Sequence, residues 1–301
     1  MMNMTEVPAF PHIRSKKTTA ALLWDVVIAL APAAVFRVCR LGLPALFILA
    51  LAVATCAILD YGCNKLRRRS GSYEPGGVVM GLILGMSLQP DVPYWLPVAG
   101  GAFAILFVKM LFGGLGNYLF HPAATAMVVI IGGLWNYLPE LTVQTGDDIG
   151  LLAGFLGGGD VTIDVIGPLL LLLGGLYLVL RRVICLRIPF FYLLTFGAVT
   201  IVLRVVTKNE APAINEVAAL LCNEGLLLGA FFMATDTTTS PMTRKGKVVY
   251  GILLGILTAA FSEVTRSGHE VLYGIVAGNL FVRLIDVLTY PRYFGKGKKA
   301  K

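Results

Sequence analysis

The chain has 301 residues, 57% of them hydrophobic and only 14% charged, with a mean hydropathy of +0.79 and a formal net charge of +8. A chain this apolar is excluded from the ordinary soluble domains of its length, and its place is a lipid bilayer. The positive charge sits in short clusters in alternate loops, the pattern of a membrane protein's inner face, so no nucleic-acid partner is expected.

In chain order, residues 1–19 are polar and carry no apolar core, so the first span is itself expected to direct insertion. Apolar stretches then recur near 22–38, 43–62, 76–88, 94–112 and 122–138, and again near 161–180, 188–206, 214–235, 248–264 and 270–290. Each approaches the roughly 20 residues that cross a hydrocarbon core of about 30 Å, which predicts an all-α polytopic protein of about ten transmembrane helices. The third span (Gly76, Gly77, Gly81, Gly85, Pro90) and the fifth (Pro122, Gly132, Gly133) are short and broken by glycine and proline. Broken spans line cavities, where protein or water satisfies irregular backbone.

Most of the 25 basic residues fall in "HIRSKK", "KLRRR", "RRVICLR", "TRKGK" and the tail 291–301, all in alternate loops. Only Arg37, Arg40, Arg204, Lys208 and Arg266 lie on the other side, together with an acidic loop at 139–160. That asymmetry predicts cytoplasmic N- and C-termini in a plasma membrane. Cys39, Cys56, Cys63, Cys185 and Cys222 form no paired motif and read as packing residues. No nucleotide-binding glycine fingerprint or cysteine cluster is present, so this chain is not expected to bind a dinucleotide or an iron–sulfur cluster by itself.

"GLILGMSLQP" (81–90) and "GLLLGAFFMATD" (225–236) share Gly-Leu-x-Leu-Gly at the polar exit of an apolar helix. Their spans are five apart and so run in opposite directions. This predicts two inverted five-helix halves, 1–140 and 161–290, with the ligand site at their junction. "GNYLFHPAATAMVV" (116–129) set against "GNLFVRLIDVL" (278–288) extends the match and singles out Asn117 and Asn279.

Ionisable residues in or beside spans are costly, about 2.5–3.5 kcal/mol for a carboxylate at the bilayer centre. Asp25, Glu74, Asp236 and Asp286 are the candidates for an ion path. Asp25 also suits the positive end of the first helix, Arg283 and Asp286 can neutralise each other three residues apart, and Lys109 can snorkel to the cytoplasmic interface. "GAFFMATDTTTSPMTRKG" (229–246) places Asp236 among Thr237, Thr238, Thr239 and Ser240. Capping explains one or two hydroxyls but not all of them, so Asp236 and Thr237 to Thr239 are the expected walls of a polar-ligand or ion site.

Six blocks in order carry a resemblance that covers nearly the whole chain: "PHIRSKKTT" (11–19), "DVVIALAPA" (25–33), "VKMLFGGLGNYLFHPA" (108–123), "LLLGGLYLVLRRVICLRIP" (171–189), "LLLGAFFMATDTTTSPMTRKGKVVYG" (226–251) and "NLFVRLIDVLTYPRYFG" (279–295). In them the chain resembles the D subunit of the Rnf ion-translocating oxidoreductases and, through it, the B subunit of the sodium-pumping NADH:quinone reductase. The resemblance implies a ten-helix subunit that assembles with the A, B, C, E and G subunits of an Rnf complex. That complex passes electrons between ferredoxin and NAD through flavins while moving sodium or protons.

It also implies FMN or riboflavin as cofactor, the FMN esterified to threonine in a Ser/Thr-Gly-Ala-Thr motif on the outer face. The matching loop reads "LTVQTGDDIG" (141–150): Thr145 and Gly146 agree, but Asp147 and Asp148 replace alanine and the modified threonine. A carboxylate cannot form that phosphoester and repels a phosphate, so Thr145 is the one acceptor-type residue left in the motif. His121 likewise stands where the family usually has asparagine before Pro122. Two other functions suit the same residues: a secondary transporter or channel without redox chemistry, and a scaffold subunit that has lost its covalent flavin.

Overall fold

A computed structural model describes residues 18–67, 75–134, 166–208, 214–265 and 268–290, and among these all regular structure is helical. Five helices are long and apolar enough to cross a membrane: α1 (Thr19–Leu41), α2 (Leu43–Leu66), α7 (Arg187–Lys208), α10 (Arg244–Thr265) and α11 (Glu270–Thr289). Five shorter apolar helical segments stand among them. They are α3 (Gly76–Ser87), α4 (Trp95–Phe103) prolonged by a π-helical stretch Ala104–Met110, α5 (Pro122–Gly133), α6 (Ile166–Leu180), and α9 (Glu224–Leu228) prolonged by a second π-helical stretch Gly229–Met233. These ten bear out the polytopic all-α reading. The outward faces, including Ile28, Phe47, Leu194 and Val287, are exposed large apolar side chains of the kind that lipid covers.

Local chemistry sets the boundaries. Thr18 caps α1 by accepting from Ala21 N through Oγ1 (3.3 Å), and Gly42, at φ +75°, turns the chain into α2, which has proline at its start. The expected span 214–235 is not continuous. It divides into a short helix α8 (Ile214–Leu221) and α9, because Asn223 starts a new helix by accepting from Gly225 N (2.8 Å) and Leu226 N (3.4 Å). The fifth span also ends earlier than expected, at Gly133, and its expected continuation from 135 lies outside the described residues.

Small residues bring the helices together. A β-carbon on Gly81 of α3 would lie 2.5 Å from Val53 Cα and 2.8 Å from Ala52 O of α2, so the two backbones touch. Gly251 and Gly255 of α10 pack in the same way on the backbone of α7 at Ile188, Tyr192 and Phe196. Across the middle of the molecule α1 packs along α6, and α5 packs against α11.

Candidate functional site

One cavity is bordered by the start of α5, by the residues that follow the second π-helical stretch and by the start of α1. α5 starts at Pro122 with His121 as its N-cap, and the second π-helical stretch ends at Met233, just before Asp236. At 12 residues, α5 and α3 are each about 18 Å long, too short to span a bilayer alone. The cavity measures about 90 Å³, its wall including Val79 and Met80 of α3, His121, Phe232, Thr235, Asp236 and Thr237. It adjoins a second cavity of about 210 Å³ bounded by Cys185, Ile188, Thr235, Thr237, Ser240 and Lys247, and both share Val183, Ile184, Thr235 and Thr237.

Asp236 is held from two sides. Tyr118 donates its phenol hydrogen to Asp236 Oδ2 at 2.8 Å, and Thr238 N donates to Oδ1 at 3.4 Å. Tyr118 reaches it from the glycine-rich turn 111–120, where Gly113, Gly114 and Gly116 all have φ between 91° and 110°. Such values favour glycine, so "FGGLGN" is a sequence requirement of that turn. Asn279 of α11 is fully buried on the far side of His121. With its amide oriented to satisfy its neighbours, Oδ1 accepts from His121 N at 3.0 Å, while Nδ2 donates to Tyr250 Oη (2.7 Å) and Ile275 O (3.3 Å).

The expected site residues therefore separate. Asp236 and Thr237 line the cavity, Thr238 bonds Asp236 through its backbone, and Asn279 supports the His121 backbone. Thr239 is buried, and its hydroxyl has no hydrogen-bond partner among the described residues. Asn117 is exposed on the turn, and its neighbour Tyr118 makes the contact. Asp25 lies apart, accepting from Arg181 Nη2 at 3.0 Å and Tyr177 Oη at 3.3 Å, a link between α1 and α6. Asp286 accepts from Met242 N at 3.0 Å and thereby holds the 236–243 loop; the expected Arg283–Asp286 ion pair is absent among the described residues. Glu74 and Thr145 lie outside the described residues.

Lys109 corrects the sequence reading outright. It does not snorkel: it is 2% exposed, and its Nζ lies 2.8 Å from Asp60 Oδ1 and 2.9 Å from Oδ2. Asp60 also accepts from Gly77 N (2.9 Å) and Asn64 Nδ2 (3.3 Å). The extra residue per turn of a π-helix re-aims a side chain, and here Lys109 turns inward. Asp60 was missed because it looks like an ordinary interfacial carboxylate near the end of α2.

A model of the NQR2, RnfD, RnfE family matches residues 6–295. The chain belongs to that family. It is 33% identical to the D subunit of the Na(+)-translocating ferredoxin:NAD(+) oxidoreductase complex of Acetobacterium woodii, over 100% of this chain and 98% of the relative. It is 30% identical to the proton-translocating counterpart of Clostridium ljungdahlii, over 97% of each. A third relative, the D subunit of the ion-translocating oxidoreductase complex of Methanosarcina acetivorans, is 33% identical over 95% of each chain.

The family raises the question of a flavin, and the Asp236 cavity taken by itself is smaller than one. Pockets that hold ligands of that size run from about 300 Å³ upward. The Asp236 cavity measures about 90 Å³, and only together with the adjoining cavity of about 210 Å³ does the space reach the lower edge of that range. Asp236 is a carboxylate in the wall and would repel an FMN phosphate. What the site does offer is a partly buried anion between helix ends, with hydroxyls beside it, and that arrangement suits a small cation.

Proposed function

We propose that this chain is the integral-membrane D subunit of an ion-translocating ferredoxin:NAD+ oxidoreductase of the plasma membrane, working with the A, B, C, E and G subunits, with both termini cytoplasmic. Its own contribution is a passage for the coupling cation through the Asp236 cavity. The similarity to named D subunits over essentially the full chain supports the assignment to the complex. The observation that carries the passage is Asp236 itself, set beyond a half-helix C-terminus and steadied by Tyr118 from the opposite half of the sequence. The negative end of a helix and a carboxylate together favour a positive charge at that depth. The cross-packing of α1 on α6 and of α5 on α11 joins the first helices and the last helices of the two proposed halves, a pattern that supports a pseudo-two-fold relation between them.

The decisive experiment replaces Asp236 with Asn in the assembled complex and follows ferredoxin-driven NAD+ reduction together with ion uptake into vesicles. Ion uptake should fall by roughly tenfold or more, the scale of one interaction with a charged group, while flavin content stays at the wild-type level. Unchanged ion uptake would remove Asp236 from the path. Cation uptake by the isolated chain in liposomes, with no electron donor, would make it a transporter instead.

A further inference from the structure

The cavity of about 210 Å³ beside the Asp236 cavity has a different wall chemistry. Its polar side chains are Lys247, Thr235, Thr237, Ser240 and Cys185, with no carboxylate, while Asp236 borders the smaller cavity alone. The two adjoining spaces thus divide the charges, an anion in one wall and an ammonium in the other. Lys247 lies in the first turn of α10, and its side chain forms no ion pair or hydrogen bond among the described residues. Ser240 is only 8% exposed, yet its hydroxyl is unbonded among the described residues and, unlike that of Thr239, is not sealed from solvent. A buried hydroxyl left open in the same wall as a lysine without a counter-charge points to an anionic guest.

We propose that this cavity binds the phosphate of an anionic phospholipid of the inner leaflet. The wall is built from the turn between α6 and α7 and from residues before and within the start of α10, two basic segments that the charge asymmetry puts at the cytoplasmic interface. Basic pockets between transmembrane helices on that side hold anionic headgroups in other membrane proteins. The rest of the lining is apolar, Val183, Ile184, Ile188, Pro241 and Met242, and Met242 is 84% exposed. That surface suits the glycerol and first acyl carbons of a lipid better than a free, fully hydrated ion. A phosphodiester carries one negative charge, which one lysine balances, whereas a phosphate monoester carries up to about two. The start of α10 adds the positive end of a helix.

The walls are held without the guest. Val183 N donates to Leu178 O at 2.9 Å and closes α6, Met242 N donates to Asp286 Oδ1 at 3.0 Å, and Gly246 N donates to Thr243 Oγ1 at 2.9 Å. A phosphate accepting from Lys247 Nζ and Ser240 Oγ bridges α10 to the loop before it and braces the segment that carries Asp236. This binding holds whether or not Asp236 carries the cation.

The test uses the intact complex in vesicles containing a trace of phosphatidylglycerol with a photoreactive diazirine beside its glycerol, followed by mapping of the labelled peptides. Label should fall on the segments 183–188 and 235–247 and be competed by unlabelled phosphatidylglycerol, but not by phosphatidylcholine or inorganic phosphate. Lys247→Gln and Ser240→Ala should each cut this labelling by about tenfold, the scale of one hydrogen bond to a charged group. Lys65→Gln, at an exposed basic residue near the end of α2, should leave it unchanged. Equal competition by phosphatidylcholine would reduce the contact to ordinary lipid and overturn the proposal. Competition by inorganic phosphate would make the guest a free anion, and loss of bound flavin in Lys247→Gln without any lipid label would make it a flavin; either result also overturns it. If the variants do not assemble, the competition measured on the wild-type complex still decides.

Discussion

Lys109 Nζ lies 2.8 Å from Asp60 Oδ1 with both side chains no more than 3% exposed, so the first half of the sequence is pinned by an ion pair sealed from water. The pair joins α2 to the root of the turn that carries Tyr118, since Lys109 O also accepts from Gly114 N at 2.9 Å. Breaking a buried pair leaves one uncompensated charge, at about 3–5 kcal/mol. Lys109→Met should therefore lower the thermal midpoint of the purified complex steeply and reduce its yield. Lys109→Met with Asp60→Asn should recover most of that loss, because Asn still accepts from Gly77 N. A double variant no better than the single one would show that the pair does more than balance charge.

Tyr118→Phe removes one hydrogen bond to the Asp236 carboxylate and leaves the ring in place. A hydrogen bond to a charged group is worth about 1.5–3 kcal/mol, so coupled NAD+ reduction should fall by roughly tenfold or more. Asn117→Ala, one residue away on the exposed turn, should leave turnover close to wild type. The comparison of initial rates separates a specific loss at Asp236 from a general loosening of the turn.

Much of this architecture was legible in the sequence because the bilayer imposes it: apolar length and loop charge follow from solvation alone and need no knowledge of packing. Asp236 was legible for the same reason, a carboxylate being costly wherever a span ends. Asp60, Tyr118 and the inward turn of Lys109 were not. Each depends on a partner distant in the chain, Tyr118 and Asp236 being 118 residues apart, and on a π-helical stretch that no periodicity announces. The break at Asn223 was overlooked because the apolar runs on both sides merge into one span, although the Asn-Glu pair there is a helix-start signal.

The glycines of α3 and α5 should respond in opposite ways to alanine. At Gly81 the new methyl would meet the α2 backbone at 2.5 Å, which no rotamer change relieves. Overpacking of this kind costs about 1–3 kcal/mol, and Gly81→Ala should lower the thermal midpoint accordingly. At Gly132 nothing lies within 4 Å of the added atom, and alanine is the better helix former by about 0.5–1 kcal/mol. Gly132→Ala should be neutral or slightly stabilising in the same melting assay.

Asn279 offers the sharpest check on how the cavity is held. Its buried amide satisfies the backbone N–H of His121 on one side and the Tyr250 hydroxyl on the other, so it fixes the start of α5 against α11. Asn279→Ala strands the His121 N–H, and a buried unsatisfied donor costs about 1–3 kcal/mol. Asn279→Asp keeps the acceptor for His121 N but adds a charge in a buried setting, a heavier penalty unless it is protonated. Melting curves should therefore rank wild type above Asn279→Ala and Asn279→Ala above Asn279→Asp at neutral pH, with Asn279→Asp recovering as the pH falls and the acid form is filled. The opposite pH trend would mean that a cation already neutralises this position, and would move the ion passage from Asp236 toward α11.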